Sequence, residues 1–287
     1  MTPRKKLIAG SLALEAIKVE PAHEKSTRRA GLSAFNTFSD TLIGLAQGLH
    51  VRHIATFQLI TCTNDDNAVD VFAHYPEFDQ IPVKHDGHII GVFERDGSGQ
   101  LRPLDDGILV AAEQPLENFL PLMAKPPFYR LVLDGARVNG VVTRSDLLKL
   151  PVRVLAFALS TSLETTIKDI ISREIPNDAD WLRYMSTGRQ EKIRVRQAEF
   201  KEKRVDPPLL DLTDYSDKYT ILLKHYRLGK KFKSDLVKIE NIRNAVSHGR
   251  SYADDEASLV EFIHALERAQ YWIKYLNETY LDEALKQ

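Results

Sequence analysis

The string Glu240-Asn241-Ile242-Arg243-Asn244-Ala245-Val246-Ser247-His248-Gly249 places a permanent cation, an amide and an imidazole close together in the chain. Arg243 can offer a planar fork of donors to a phosphate. His248 titrates near neutrality and can move a proton to or from a ribose 2′-hydroxyl, or to a leaving 5′-oxygen. Asn244 adds a neutral donor and acceptor. This set suits phosphodiester chemistry and requires no metal; neither a carboxylate cluster nor a His-Glu-x-x-His spacing accompanies it. The plainer alternative is that Arg243 pairs with Glu240 or Asp214 and His248 is an ordinary helix cap.

A second group lies upstream, in Gly140-Val141-Val142-Thr143-Arg144-Ser145-Asp146. A strand ending at Thr143 and a helix starting after Ser145, its N-cap, would gather a hydroxyl and a carboxylate at a helix N-terminus. Asp146 could then accept the two hydroxyls of a ribose. Thr143, Arg144 and free N–H groups would face phosphate. Otherwise Asp146 only caps the helix. Lys230, Lys231 and Lys233, and a longer basic stretch from Arg183 to Arg204, are candidates for tracking an RNA backbone. Glu191, Glu199 and Glu202 break up the longer stretch, as on a solvated helix face.

These groups need elements to hold them. Leu236, Ile239, Ile242 and Val246 recur at helical spacing, so Ser234 is expected to cap a helix whose end Gly249 marks. Gly229 and the run KKFK that follows it are expected to form a loop ahead of that helix. Residues 152–171, 180–204, 214–226 and 256–283 also carry helical patterning, so everything after about residue 150 is expected to be a helical bundle.

Before residue 150 the pattern changes. Residues 67–75 predict a helix; residues 81–83 and 88–93 predict strands around the turn Asp86-Gly87. Residues 108–112, 116–123, 128–133 and 138–143 predict strand, helix, strand and strand, with a turn at Asp134-Gly135. The β-α-β-β-α order thus occurs twice, about fifty residues apart.

The strings IPVKHDGHIIGVFERDG and YRLVLDGARVNGVVTRSDLL resemble the CBS domain, over roughly residues 50–153. That resemblance implies a tandem pair binding an adenosine nucleotide such as AMP or ATP as a regulatory ligand, through Thr143 and Asp146. Glu94 replaces the threonine in the first copy, which implies at most one nucleotide site. The Arg243-Asn244-x-x-x-His248 string resembles the motif of the HEPN superfamily, over roughly residues 155–285. It implies a homodimer whose paired Arg243, Asn244 and His248 form one metal-independent endoribonuclease site leaving 2′,3′-cyclic phosphate ends, in stress response or defence. The non-catalytic alternative is a nucleotide-sensing regulatory or dimerisation protein.

The expected architecture is α+β followed by all-α: an N-terminal helical segment at residues 1–49, a tandem CBS module at 50–153, and a HEPN-like up-and-down bundle at 154–287. The composition is 43% hydrophobic and 28% charged over 287 residues, as expected of a folded chain with room for more than one core. The formal net charge is −1, so nucleic acid must be gathered by a local patch. Cys62 is the single cysteine; no disulfide within the chain and no cysteine-based zinc site can form. It sits in an apolar run and is expected to be a buried small residue. Glu15 interrupts the first apolar run, so a cytoplasmic start is expected rather than a signal peptide, and no stretch is apolar for long enough to span a bilayer.

Overall fold

The computed structural model describes residues 37–96 and 99–281. The expected helical character of residues 1–36 lies outside them. A helix α1 (Thr37–Gln47) comes first, followed by two small sheets. In the first, β1 (Cys62–Thr63) runs parallel to β2 (Gln80–His85), with α2 (Ala68–His74) between them, and β2 pairs antiparallel with β3 (His88–Glu94), which pairs with β4 (Arg102–Pro103). In the second, β5 (Leu109–Ala111) is parallel to β6 (Tyr129–Asp134), and β6 is antiparallel to β7 (Arg137–Thr143). Between β5 and β6 lies α3 (Leu116–Phe119), which runs on as a 3-10 turn over Leu120–Ala124. A full α-helix over residues 116–123 was expected; Pro121 has no N–H to donate and sits in the tighter turn.

The two sheets repeat each other in detail. Val83 lies opposite Gly91 and Val132 opposite Gly140, and each pair is followed at once by a register shift. The hairpins differ. Asp86 and Gly87 both have positive φ, 48° and 81°, as a type I′ turn requires. In the second hairpin Asp134 still pairs with Arg137, so the turn centres on Gly135 (φ 62°) and Ala136, one residue later than expected.

The helical part comprises α4 (Leu150–Glu174), α5 (Asp178–Leu182), α6 (Thr187–Glu202), α7 (Tyr215–His225), α8 (Lys230–Ser247) and α9 (Glu256–Leu276). The single charged helix expected over residues 180–204 is two. The Gln190 amide donates to the carbonyls of Leu182 and Met185, which satisfies the end of α5 and stops it. The run KKFK, expected in a loop, is the first turn of α8. Phe232 is fully buried against Trp272 of α9, ring centroids 4.8 Å apart, and draws those residues into the helix. The last helix ends at Leu276 and continues as a π-turn over Asn277–Leu281.

One apolar core runs from the second sheet (Val110, Val132, Val142) through α4 into α8 and α9. The first sheet has its own small core around Val71, Phe72, Ile81 and Phe93, which includes Cys62. Burial pushes the Cys62 thiol up, against ready ionisation. Val92, Ile108, Tyr129 and Leu131 form a third cluster joining the two sheets.

Asp169 of α4 sits half-buried, and desolvation pushes its carboxyl up to about 6; Lys168 opposes the shift and Asp211 adds to it. A carboxyl raised in the folded state contributes stability that is full below about pH 4 and is lost as pH rises through about 6. Asp169→Asn is therefore expected to stabilise the protein at pH 7 by about 1 kcal/mol, the shift being discounted for partial exposure. Denaturant unfolding from pH 4 to 8 checks this; a difference that does not shrink toward pH 4 refutes it.

Candidate functional site

Two places in the fold carry the residues singled out by their chemistry. The first is a cleft of about 1360 Å³ that touches both sheets and the start of α9. Thr143, Arg144 and Asp146 all line it. They lie where β7 ends and a short 3-10 turn, Arg144–Leu148, begins. Its N-cap is Thr143, not the expected Ser145. The Thr143 N–H (2.6 Å) and hydroxyl (3.0 Å) both donate to Asp146 Oδ2, which closes a capping box. The other oxygen, Oδ1, accepts from Thr56 (3.3 Å) and pairs with Lys149 Nζ (2.7 Å). Lys149 Nζ also donates to the Ile54 carbonyl at 2.6 Å. Asp146 is nearly buried and all its bonds are internal, so a ribose would have to exchange with one of these partners.

The matching end of β3 is built differently. Glu94 Oε1 accepts from the Tyr129 phenol (2.6 Å) and from Arg102 (2.9 Å). Burial, followed by Glu94, holds the Tyr129 phenol protonated far above its ordinary range. That triad ties the first sheet to the second. Arg130, also buried, donates to the carbonyls of Leu122, Pro127 and Tyr129 and fixes the loop that forms one cleft wall.

The second place is the end of α8. Leu236, Ile239, Ile242 and Val246 are buried, as their spacing predicted, and Phe232 joins them. Asn244 and His248, one turn apart, share the exposed ridge on the other side. His248 is the C-cap, and Gly249 follows with φ 67°. The Arg250 N–H donates to the Ala245 carbonyl (2.9 Å) and Gly249 N–H to Val246 (3.3 Å), the paired bonds of a Schellman ending.

Arg243 points inward from that ridge. Its Nη2 pairs with Glu164 Oε2 of α4 at 3.1 Å. The same carboxylate holds buried Lys218 of α7 at 3.0 Å, and Lys218 also donates to the Thr213 carbonyl (2.8 Å). The Arg243 Nε–H is buried without a partner, and the guanidinium lies 5.9 Å from the Tyr215 ring centroid. Neither Glu240 nor Asp214 takes Arg243, the two partners weighed from sequence. Glu240 accepts from the Tyr219 phenol (3.2 Å), and burial raises its carboxyl. Asp214 is held by Arg189 and Arg196. Glu164 escaped the sequence reading because it sits on a helix distant in sequence, among serines and threonines that carry no sign of an ion pair.

The basic stretch is partly spent on structure. Arg189 pairs with Asp214 and Asp217, and Arg196 with Asp214 and the Leu212 carbonyl, pinning α6 to α7. Lys230, Lys231 and Lys233 are exposed at the N-terminal end of α8. About 25 Å of helix separates them from His248, so nearness in sequence does not bring them to the motif.

A short loop links the two places. Ala253, Asp254 and Glu256 line the cleft alongside Thr143 and Asp146. Among the described residues, no group of three or more His, Cys, Asp or Glu side chains could hold a metal ion, and no helix is long and apolar enough to cross a membrane.

Residues 104–153 match the CBS domain family. They hold the second sheet, the Thr143–Asp146 box and the start of α4. The fold is also similar to the CBS domain of a bacterial CNNM/CorC family Mg2+ transporter, at 17% identity, covering 43% of this chain and 84% of that one, TM-score 0.32. The same domain in complex with the inhibitor IGN95a is similar at 17% identity, covering 43% and 85%, TM-score 0.31. No curated protein matches the chain. The chain thus contains a CBS domain, a type of module that serves regulatory nucleotide sensing, followed by a helical region.

Proposed function

We propose that this protein is an adenosine-nucleotide-responsive regulator whose output is the C-terminal bundle. We further propose that the bundle is a metal-independent endoribonuclease of the HEPN type, active when two copies bring their motifs together. The observation that carries the nuclease reading is the end of α8: Asn244 and His248 share an exposed ridge, with Arg243 fixed beside it by Glu164. In this reading His248 moves the protons, Arg243 keeps one nitrogen on Glu164 and turns its remaining donors to the scissile phosphate, and Asn244 orients the ribose. The first sheet is read as a degenerate CBS copy that completes a tandem pair, with one nucleotide per chain at Thr143, Arg144 and Asp146.

The test uses purified protein, a mixed RNA pool and EDTA, with and without AMP. Cleavage that leaves cyclic phosphate ends supports the nuclease. A specific observation favours a second, non-catalytic reading: Arg243 is engaged inside the bundle while His248 lies outside it. In that case the bundle is a dimerisation module, and AMP binds without any RNA being cut.

The cleft's charge bears on its ligand. Arg95 and Arg102 are paired with Asp79 (3.6 Å) and Glu94 (2.9 Å). Arg144 lines the cleft together with the carboxylates of Asp254 and Glu256. Each added phosphate charge therefore meets net repulsion, worth roughly 0.5 kcal/mol per pair at about 8 Å in water. ATP is expected to bind about fivefold more weakly than AMP in magnesium-free buffer. Titration calorimetry reads this directly; equal or tighter ATP binding refutes it.

A further inference from the structure

We infer that the loop between α8 and α9, anchored by Tyr252, is the element that links the cleft to the His248 end of α8. This rests on the regulatory reading above and supplies its route. The loop is tied at both ends to the groups in question. It begins at Gly249, directly after His248, and ends at Asp255, which caps α9 by accepting from the Ser258 N–H at 2.7 Å. On one side Ala253 and Asp254 face the cleft. In the middle, the buried Tyr252 phenol donates to the Leu147 carbonyl at 2.9 Å, across 105 residues of sequence. Leu147 belongs to the 3-10 turn that Thr143 and Asp146 cap.

The anchor is reinforced from two directions. The Tyr252 ring stacks on Phe262 of α9, centroids 4.2 Å apart and 24° between planes. The Arg153 guanidinium lies 5.8 Å from the Tyr252 centroid, and Arg153 Nε donates to the Leu148 carbonyl at 3.2 Å. Arg153 thus touches the turn on one side and the loop on the other. A change at the capping box moves Leu147, Leu147 carries the Tyr252 hydroxyl, and Tyr252 carries the loop whose first residues close α8 beside His248. The path consists of one hydrogen bond and one cation over the ring, and removing the phenol oxygen deletes its direct link to the turn.

The experiment is amide hydrogen exchange on the full chain, and it does not depend on any ligand. Asp146→Asn weakens the capping box from within. It is expected to raise exchange in residues 144–148 and also in residues 249–255. Tyr252→Phe keeps the stacked ring but deletes the bond, and should raise loop opening about tenfold, the effect of one buried hydrogen bond. In the double variant, Asp146→Asn should no longer add to loop exchange, while its effect on residues 144–148 persists. Additive effects of the two substitutions on the loop, or a loop indifferent to Asp146→Asn, overturn the inference. AMP at saturating concentration is the second arm. Protection of residues 144–148 and 249–255 in wild type, with the loop response lost in Tyr252→Phe, supports both the route and the ligand. If AMP protects neither segment while the Asp146→Asn coupling holds, the nucleotide reading fails and the route stands. If AMP protects residues 144–148 alone, the route fails and the nucleotide reading stands.

Discussion

Wild-type protein is expected to cleave RNA in EDTA, and His248→Ala to lose at least about a hundredfold of that rate, the usual contribution of a positioned general acid or base. The fold should survive the change. His248 is exposed at the C-cap, and the helix ending beside it is made by backbone bonds of Gly249 and Arg250. Loss of cleavage with unchanged thermal unfolding is therefore the expected pair of results. Arg243→Lys provides a second check. Lysine can keep an ion pair with Glu164 but not the guanidinium fork, so stability should hold while cleavage falls. Equal cleavage by wild type and His248→Ala would trace the activity to a contaminant or another site. No cleavage by either would leave the non-catalytic regulator as the reading.

The largest stability effect is expected at Glu164. Its carboxylate is shared between Arg243 and buried Lys218. Removing one partner of a buried pair costs about 3–5 kcal/mol, because the remaining charge stays out of water without compensation. Glu164→Ala is therefore expected to lower stability by about 3 kcal/mol, near the bottom of that range because Lys218 keeps its bond to the Thr213 carbonyl. Lys218→Met together with Glu164→Leu removes the carboxylate and the more buried of its two cations, leaving the partly exposed Arg243, and should recover part of the loss. Denaturant unfolding of the single and double variants reads both numbers; a single variant within about 1 kcal/mol of wild type would show that the carboxylate is well solvated. Glu164→Gln also separates structure from chemistry. If Glu164 orients Arg243, the amide, which can still accept a hydrogen bond, should preserve more RNA cleavage than alanine does.

Much of this fold is written in short stretches of sequence. The apolar spacing of α8, its stop at Gly249, the two hairpins with their glycines, and the repeated strand and helix order all follow from interactions within a few residues. Sequence by itself therefore determined that a β-rich half precedes a helical one, and that Thr143, Asp146, Arg243 and His248 lie at or near the ends of elements. Tertiary structure decided the rest. KKFK became helix because Phe232 meets Trp272 of α9, a contact that no local pattern contains. The charged stretch broke into α5 and α6 because Gln190 folds back on the end of the earlier helix. Arg243 found Glu164 rather than the nearby Glu240 because packing α4 against α8 brings that carboxylate to it. The Tyr252 bond to Leu147, which ties the two candidate sites together, joins residues that only the packed core brings within reach. Caps, turns and periodicity are local and can be read along the chain; which charge meets which, and which loop faces which cleft, depends on how distant apolar faces are buried against each other.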